Sequence, residues 1–280
     1  MTTTEHVNLL APPRRRGASV SVGRWLTSLV LLVVAGIALG PILYMVKASV
    51  TPSDGRGVTF EAWTHVLAQG LARAGANSLV LCVLAIVGVS LFATPAAFAI
   101  AKLPFRGSQT ILATLTILML VPGQTSLLPL YFDISRLGLI GNVPMTALLY
   151  AVGQLPFATF LLTSFFRSVP SELVEAAVMD GAGYPRIIRS VVGPLAVPPL
   201  VTLGVLTFIG VWNDLLFAML FLPDGAQRTI SVVIATAGST QVFDVTQQMA
   251  GALISALPCI LVYLIFQRQL AVGLTAGVGK

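Results

Sequence analysis

Apolar residues run almost unbroken through six stretches of the chain, roughly 25–46, 75–101, 109–130, 144–166, 195–222 and 248–266, and polar residues gather between them. A helix needs about 20 mostly apolar residues to cross the ~30 Å hydrocarbon layer of a bilayer at 1.5 Å per residue. Each stretch reaches that length. In lipid every backbone polar group must be satisfied within the segment, so the runs predict helices. The short alternating segments that mark a membrane barrel are absent. The pattern therefore predicts an all-α, polytopic membrane protein with six transmembrane helices, a tail over 1–24 read as disordered, and one membrane domain over 25–280.

The first apolar run exceeds the ~7–15 residues of a signal-peptide core, so it reads as a retained anchor. Prolines and glycines within the runs, among them Pro95, Pro122, Pro156 and Gly210, suggest bends.

Composition agrees with this reading and removes others. Of 280 residues, 56% are hydrophobic and 9% charged, which is too little charge to cover a water-facing surface. The formal charge of +6 does not form a basic patch, so nucleic acid is not an expected partner. Basic residues instead fall singly between the runs. With the N-terminus in the cytoplasm, eleven of the sixteen Lys and Arg lie inside, including Arg14, Arg15, Arg16, Lys102, Arg167, Arg186, Arg189 and Arg268. Lys47, Arg56, Arg73, Arg136 and Arg228 lie outside. The positive-inside rule then places both termini in the cytoplasm, with 167–194 as the one long inner loop.

Catalytic signals are lacking. The histidines, His6 in the tail and His65 in the first outer loop, suggest neither a metal site nor a triad. Cys82 and Cys259 sit inside apolar runs and read as free thiols. The ending Gly277-Val278-Gly279-Lys280 lacks the first glycine and the Ser or Thr of a phosphate loop. No cofactor or metal is expected on this chain.

The long inner loop carries the chemistry. Pro170-Ser171-Glu172-Leu173-Val174-Glu175-Ala176-Ala177-Val178-Met179-Asp180-Gly181 predicts a short helix, with proline in the first turn, Glu172 at the positive end of the dipole, and Gly181 ending it in a left-handed conformation. Leu173, Ala176, Ala177 and Asp180 share one face by spacing. A second short helix over 185–192 follows Ala182-Gly183-Tyr184, and Pro194 ends it. From the residues alone this is either a solvated loop with helical propensity or a docking surface with small residues at its bend.

Glu175-Ala176-Ala177, then Gly181, Val191 and Pro194, resembles the EAA loop of permeases in binding-protein-dependent ABC importers. Val191 stands where that family often has Ile, and Gly193 where it often has Leu. Leu128-Pro129-Leu130-Tyr131, Leu137-Gly138-Leu139, Trp212-Asn213-Asp214, Phe266-Gln267-Arg268 and Gly273-Leu274-Thr275-Ala276-Gly277 look like the maltose-type carbohydrate branch. The resemblance implies the type I importer permease fold in a bacterial inner membrane and half of a sugar path. It also implies a second permease, an ATPase dimer that holds ATP and Mg2+, an extracellular sugar-binding protein and surrounding lipid. By the same resemblance Glu175, Ala176, Ala177, Asp180, Gly181, Ala182, Tyr184, Pro185 and Arg186 form the ATPase-coupling surface.

Polar residues within the runs give a second set of candidates. Asn213 and Asp214, with Asn77 and Gln124, are read as either translocation-pathway residues or packing hydrogen bonds, because an ionised carboxylate near the bilayer centre costs roughly 2.5–3.5 kcal/mol on insertion scales. Two other functions remain open: an importer for another solute, such as a phosphorylated polyol, or an ion-gradient-driven secondary transporter, which would need coupling residues and repeats.

Overall fold

The structure of the chain is a computed structural model that describes residues 22–52, 57–103, 105–223, 225–237 and 245–275. His6, the arginine triplet, Arg56, most of the 1–24 tail and the 276–280 ending lie outside the described residues. Among the described residues every regular element is helical.

The chain divides into two units, one up to Met45 and one from Val46 onward. The first contains most of α1 (Val22–Ser49), whose Trp25–Ser49 stretch is long and apolar enough to cross a membrane. α1 starts three residues before the expected boundary at Trp25.

The second unit is built on α3 (Ala72–Lys102), α6 (Val143–Ser168), α10 (Val197–Asn213) and α13 (Val245–Thr275). The 31 residues of α3 span about 46 Å at 1.5 Å per residue. α2 (Glu61–Val66) and a π-helical stretch, Leu67–Leu71, lead into it. Asn142 caps α6 by accepting from the Met145 N–H at 2.9 Å, with proline in the first turn. One buried cluster joins Phe98, Ala151, Phe166, Val174, Ile187, Val192 and Leu203 at the end of the bundle near Lys102. A second joins Leu81, Cys82, Ala147, Phe208, Trp212 and Ile230 at the opposite end.

Six straight spans are not what these runs form. Among the described residues four helices have the length and apolarity to cross, Trp25–Ser49, Ala72–Lys102, Val143–Ser168 and Val245–Ala271, and the number rises to six only if two bent pairs each count as one span. The run 109–130 splits into α4 (Ser108–Leu118), a tight turn over Gly123–Ser126 and α5 (Leu127–Arg136), bent by 87°. Pro122 explains the break: it has no N–H to donate, and its ring forces the preceding residue out of the helical region. α4 alone, at 11 residues or about 16 Å, is too short to cross.

The run 195–222 also fails to form one helix. α10 stops at Asn213, Asp214 is extended (φ −70°, ψ 128°), and α11 (Leu216–Phe221) follows. α12 (Ile230–Ala237) lies between α11 and α13 in the chain. Asn77 and Ser78 lie in the second turn of α3. Pro95, Pro156 and Gly210 sit inside continuous helices, so of the positions read as bends only Pro122 marks a break.

Candidate functional site: the loop between α6 and α10

α7 (Ser171–Met179) starts from Pro170, which serves as its N-cap and is not part of its first turn. Its end is a Schellman closure: Gly181, at φ 75°, donates its N–H to Val178 O at 2.9 Å, and Ala182 donates to Ala177 O at 3.0 Å. Only glycine takes that φ without a Cβ penalty, so the expected turn at Gly181 is formed as its residue type requires.

Gly183, extended, then begins α8 (Tyr184–Ile187), where Pro185 fills the first turn and Ile187 N–H bonds Gly183 O at 3.0 Å. A π-helical turn, Ile188–Val192, and α9 (Gly193–Leu195) continue the rod. The expectation that Pro194 ends this helix is corrected. Pro194 occupies the first turn of α9, where its missing N–H costs nothing, and the chain bends by 81° only at Ala196 on its way into α10.

Spacing grouped Leu173, Ala176, Ala177 and Asp180 on one face, but they divide. Val174 is buried and Ala177 half-buried against the core of α3, α6 and α10, whereas Leu173, Ala176 and Asp180 face outward. The helix is short, and the side it turns inward is formed by Val174 and Ala177, three positions apart. Glu175, Gly181, Tyr184, Pro185 and Arg186 are exposed; Ala182 packs against the core. Exposed apolar side chains flank the turn, Tyr184 and above all Met179, at 87% exposure, and Leu173 is exposed near the start of α7. Met179 was not singled out in the sequence, although its place just before Asp180-Gly181 puts it at the tip.

Polar side chains fasten this end of the bundle. Lys102, ending α3, donates to Val169 O and lies 3.5 Å from Ser171 Oγ, while Arg167 donates to Gln109 Oε1 at 3.1 Å. A cation on the last carbonyls of α6 also complements the negative end of the helix dipole. Lys102 was legible only as a charge at the end of a span.

The candidates at the opposite end do not converge on one point. Asn77 Nδ2 donates to Ala226 O at 3.0 Å and Arg228 O at 3.2 Å, and neighbouring Ser78 Oγ accepts from Ile230 N–H at 2.9 Å. Both latch the segment before α12 onto α3. Asp214 Oδ1 accepts from Tyr150 Oη at 3.0 Å and from the Phe217 and Ala218 N–H groups at 2.9 and 3.3 Å. Asn213, exposed, donates to Ile209 O at 2.9 Å and lies 3.6 Å from Cys259 Sγ. Gln124 is exposed in the turn between α4 and α5. Cys82 and Cys259 are free thiols, as expected.

Residues 90–275 match the family described as binding-protein-dependent transport system inner membrane component. The chain belongs to that family. The permease is therefore a multi-pass membrane protein, the transport subunit of a system in which a binding protein takes part and ATP is hydrolysed by a separate subunit. It is 36% identical over 259 residues to the trehalose transport system permease protein SugB of Mycobacterium tuberculosis, covering 88% of this chain and 94% of that one. It is 29% identical over 221 residues to the melibiose/raffinose/stachyose import permease protein MelC of Bacillus subtilis, covering 79% of each. Among solved structures, the permease resembles a chain of a bacterial ABC transporter involved in the import of the acidic polysaccharide alginate. The TM-score is 0.76 and the identity 26%, over 88% of this chain and 96% of that chain. A likeness to the MetNI methionine ABC transporter, with TM-score 0.56 and 18% identity over 72% of this chain and 95% of that chain, extends to the fold alone.

Proposed function

We propose that this permease supplies half of the translocation path of an ATP-driven importer of a di- or oligosaccharide and takes its power stroke through the segment from α7 to α9. The observation that carries the reading is the Gly181 turn. It carries the exposed apolar side chains of Met179 and Tyr184, and it joins α7 and α8, whose Val174 and Ile187 share one buried cluster with α3, α6 and α10. An exposed turn with a rigid base suits insertion into a cleft of a partner, and a push on it moves packed helices together.

In this reading Glu175, Ala176, Asp180, Gly181, Tyr184, Pro185 and Arg186 meet the ATPase, while Ala177 and Ala182 hold the inner side. The remaining partners are a second permease, a second ATPase copy and an extracellular sugar-binding protein. ATP and Mg2+ reside in the ATPase pair, and both termini of the permease are cytoplasmic. The saccharide class is supported by the names of relatives, for trehalose and for melibiose, raffinose and stachyose. The exposed Asn213 and Gln124 supply hydrogen-bonding groups to the path, with Asn77 and Asp214 bracing its end.

Purification in mild detergent with co-expressed neighbours, followed by reconstitution, tests the reading. ATP-dependent uptake of labelled trehalose or raffinose that requires the binding protein is expected. Uptake driven by an ion gradient with no ATPase present would overturn it.

A further inference from the structure

We infer that Gly193 is a positioning residue for coupling in this permease: by lacking a Cβ it permits the π-helical turn that seats the segment from α7 to α9 on the membrane helices. The inference rests on the proposed coupling role of that segment and adds to it a residue outside the expected coupling surface.

Ile187 and Val192 are both fully buried in the same cluster. In an α-helix, positions five apart stand about 140° around the axis from one another, so one of the two would leave the core. A π turn bonds residues five apart and so stacks them on one side. Here the Gly193 N–H bonds Ile188 O, closing that turn. A Cβ on Gly193 would stand 2.5 Å from Ile188 O, a backbone atom that cannot swing aside. Any other residue therefore competes with the turn. Pro194 follows, and having no N–H it leaves no orphan donor where the wide turn gives way to α9. The elbow to α10 comes two residues later, with Ala196 N–H bonded to both Val192 O at 2.9 Å and Gly193 O at 3.0 Å. The register of the π turn thus sets where the coupling segment stands relative to α10.

The test uses the whole transporter in lipid nanodiscs, with the variants Gly193→Ala and Gly193→Ala combined with deletion of the exposed Ser190. Deletion removes the extra residue of the wide turn and leaves Ile187 and the former Val192 four apart, on one face of an α-helix. Gly193→Ala is expected to lower solute-stimulated ATP hydrolysis about tenfold or more, within the usual span of coupling between sites. The added deletion is expected to restore most of it, a rescue that loss of a merely well-packed glycine would not show. Hydrogen exchange over 187–196 reads the same turn without any solute, rising in Gly193→Ala and falling back in the double variant. Full stimulation in Gly193→Ala, or no recovery in hydrolysis and exchange on deleting Ser190, would overturn the inference. If Gly193→Ala fails to assemble, recovery of assembly by the deletion supports it and continued failure overturns it. A wild-type complex without saccharide-stimulated hydrolysis would instead count against the proposed function, leaving the exchange result to decide on Gly193.

Discussion

Tyr150 of α6 donates its hydroxyl to Asp214 Oδ1 across 3.0 Å, tying α6 to the break between α10 and α11. The same oxygen accepts the Phe217 and Ala218 N–H groups, two of the donors that the first turn of a helix cannot satisfy internally. Asp214 thus ends one helix by offering the backbone of the next a better partner than water-poor surroundings could. Its ring-side neighbour is held as well, with Tyr150 and Phe217 centroids 4.7 Å apart.

Asp214→Ala should destabilise the permease by roughly 1–2 kcal/mol, the sum of a lost cap and an interhelical bond. Asp214→Asn keeps an oxygen acceptor and should stay within about 0.5 kcal/mol of the parent. Tyr150→Phe should cost about 0.6 kcal/mol alone and nothing further in the Asp214→Ala background. Thermal unfolding of the four proteins in one detergent measures the cycle, and additive losses would show that the two residues act separately.

Gly181 separates a backbone requirement from a docking requirement. Its φ of 75° penalises most L side chains by roughly 1–2 kcal/mol, yet beyond its chain neighbours no atom lies within 4 Å of a Cβ placed there. Gly181→Trp should therefore insert and fold while lowering stimulated ATP hydrolysis of the complex about tenfold. Gly181→Asn, which tolerates the left-handed region, should keep the turn and much of the stimulation. Unchanged hydrolysis and uptake in the tryptophan variant would remove this bend from the contact with the ATPase.

These residues also mark where the sequence was readable. Gly181 and Pro185 are punctuation with a local meaning, so the turn between α7 and α8 could be read from residue type, and the apolar runs located every long helix. Direction was not readable. A run such as 109–130 is equally apolar whether it crosses straight or folds by 87° at Pro122, because hydropathy carries no information about the path of the axis. Pro194 misled for a related reason: a proline stops a regular helix, but after a π turn it occupies a first-turn position, and that turn shows only in the burial of Ile187 with Val192. Asp214 was visible as an anomaly within an apolar run, while its partners, Tyr150 some 64 positions away and the N–H groups of α11, depend on tertiary structure.

α3 comes close to α6 at Gly88, where an added Cβ would stand 3.0 Å from Ala151 Cβ. Small residues let membrane helices close on each other in the absence of a hydrophobic drive between them. Gly88→Leu should cost roughly 1–3 kcal/mol through overpacking and lower the yield of folded permease. Gly153 of α6 has nothing within 4 Å of its Cβ position, so Gly153→Ala should instead stabilise by about 0.5 kcal/mol through helix propensity. Size-exclusion profiles after heating compare the two, and equal behaviour would refute the packing argument.

Lys102 links the end of α3 to the start of the coupling segment, and its effect should be local. Its ammonium donates to Val169 O, the carbonyl at the C-cap of α6, and stands 3.5 Å from Ser171 Oγ in the first turn of α7. Lys102→Met keeps the apolar stem and removes the donor, so it should lower stability by only about 1 kcal/mol, the scale of a cation at a helix C-terminus. Hydrogen exchange at 169–173 should rise, because Val169 O loses a charged partner and α7 loses its anchor to α3. Lys102→Arg retains a donor of similar reach and should restore most of the protection. Stimulated ATP hydrolysis should follow the exchange: a rod whose base has loosened at α3 transmits less of any displacement to the membrane helices. Exchange that rises with hydrolysis unchanged would place the transmission wholly in the buried contacts of Val174, Ile187 and Val192.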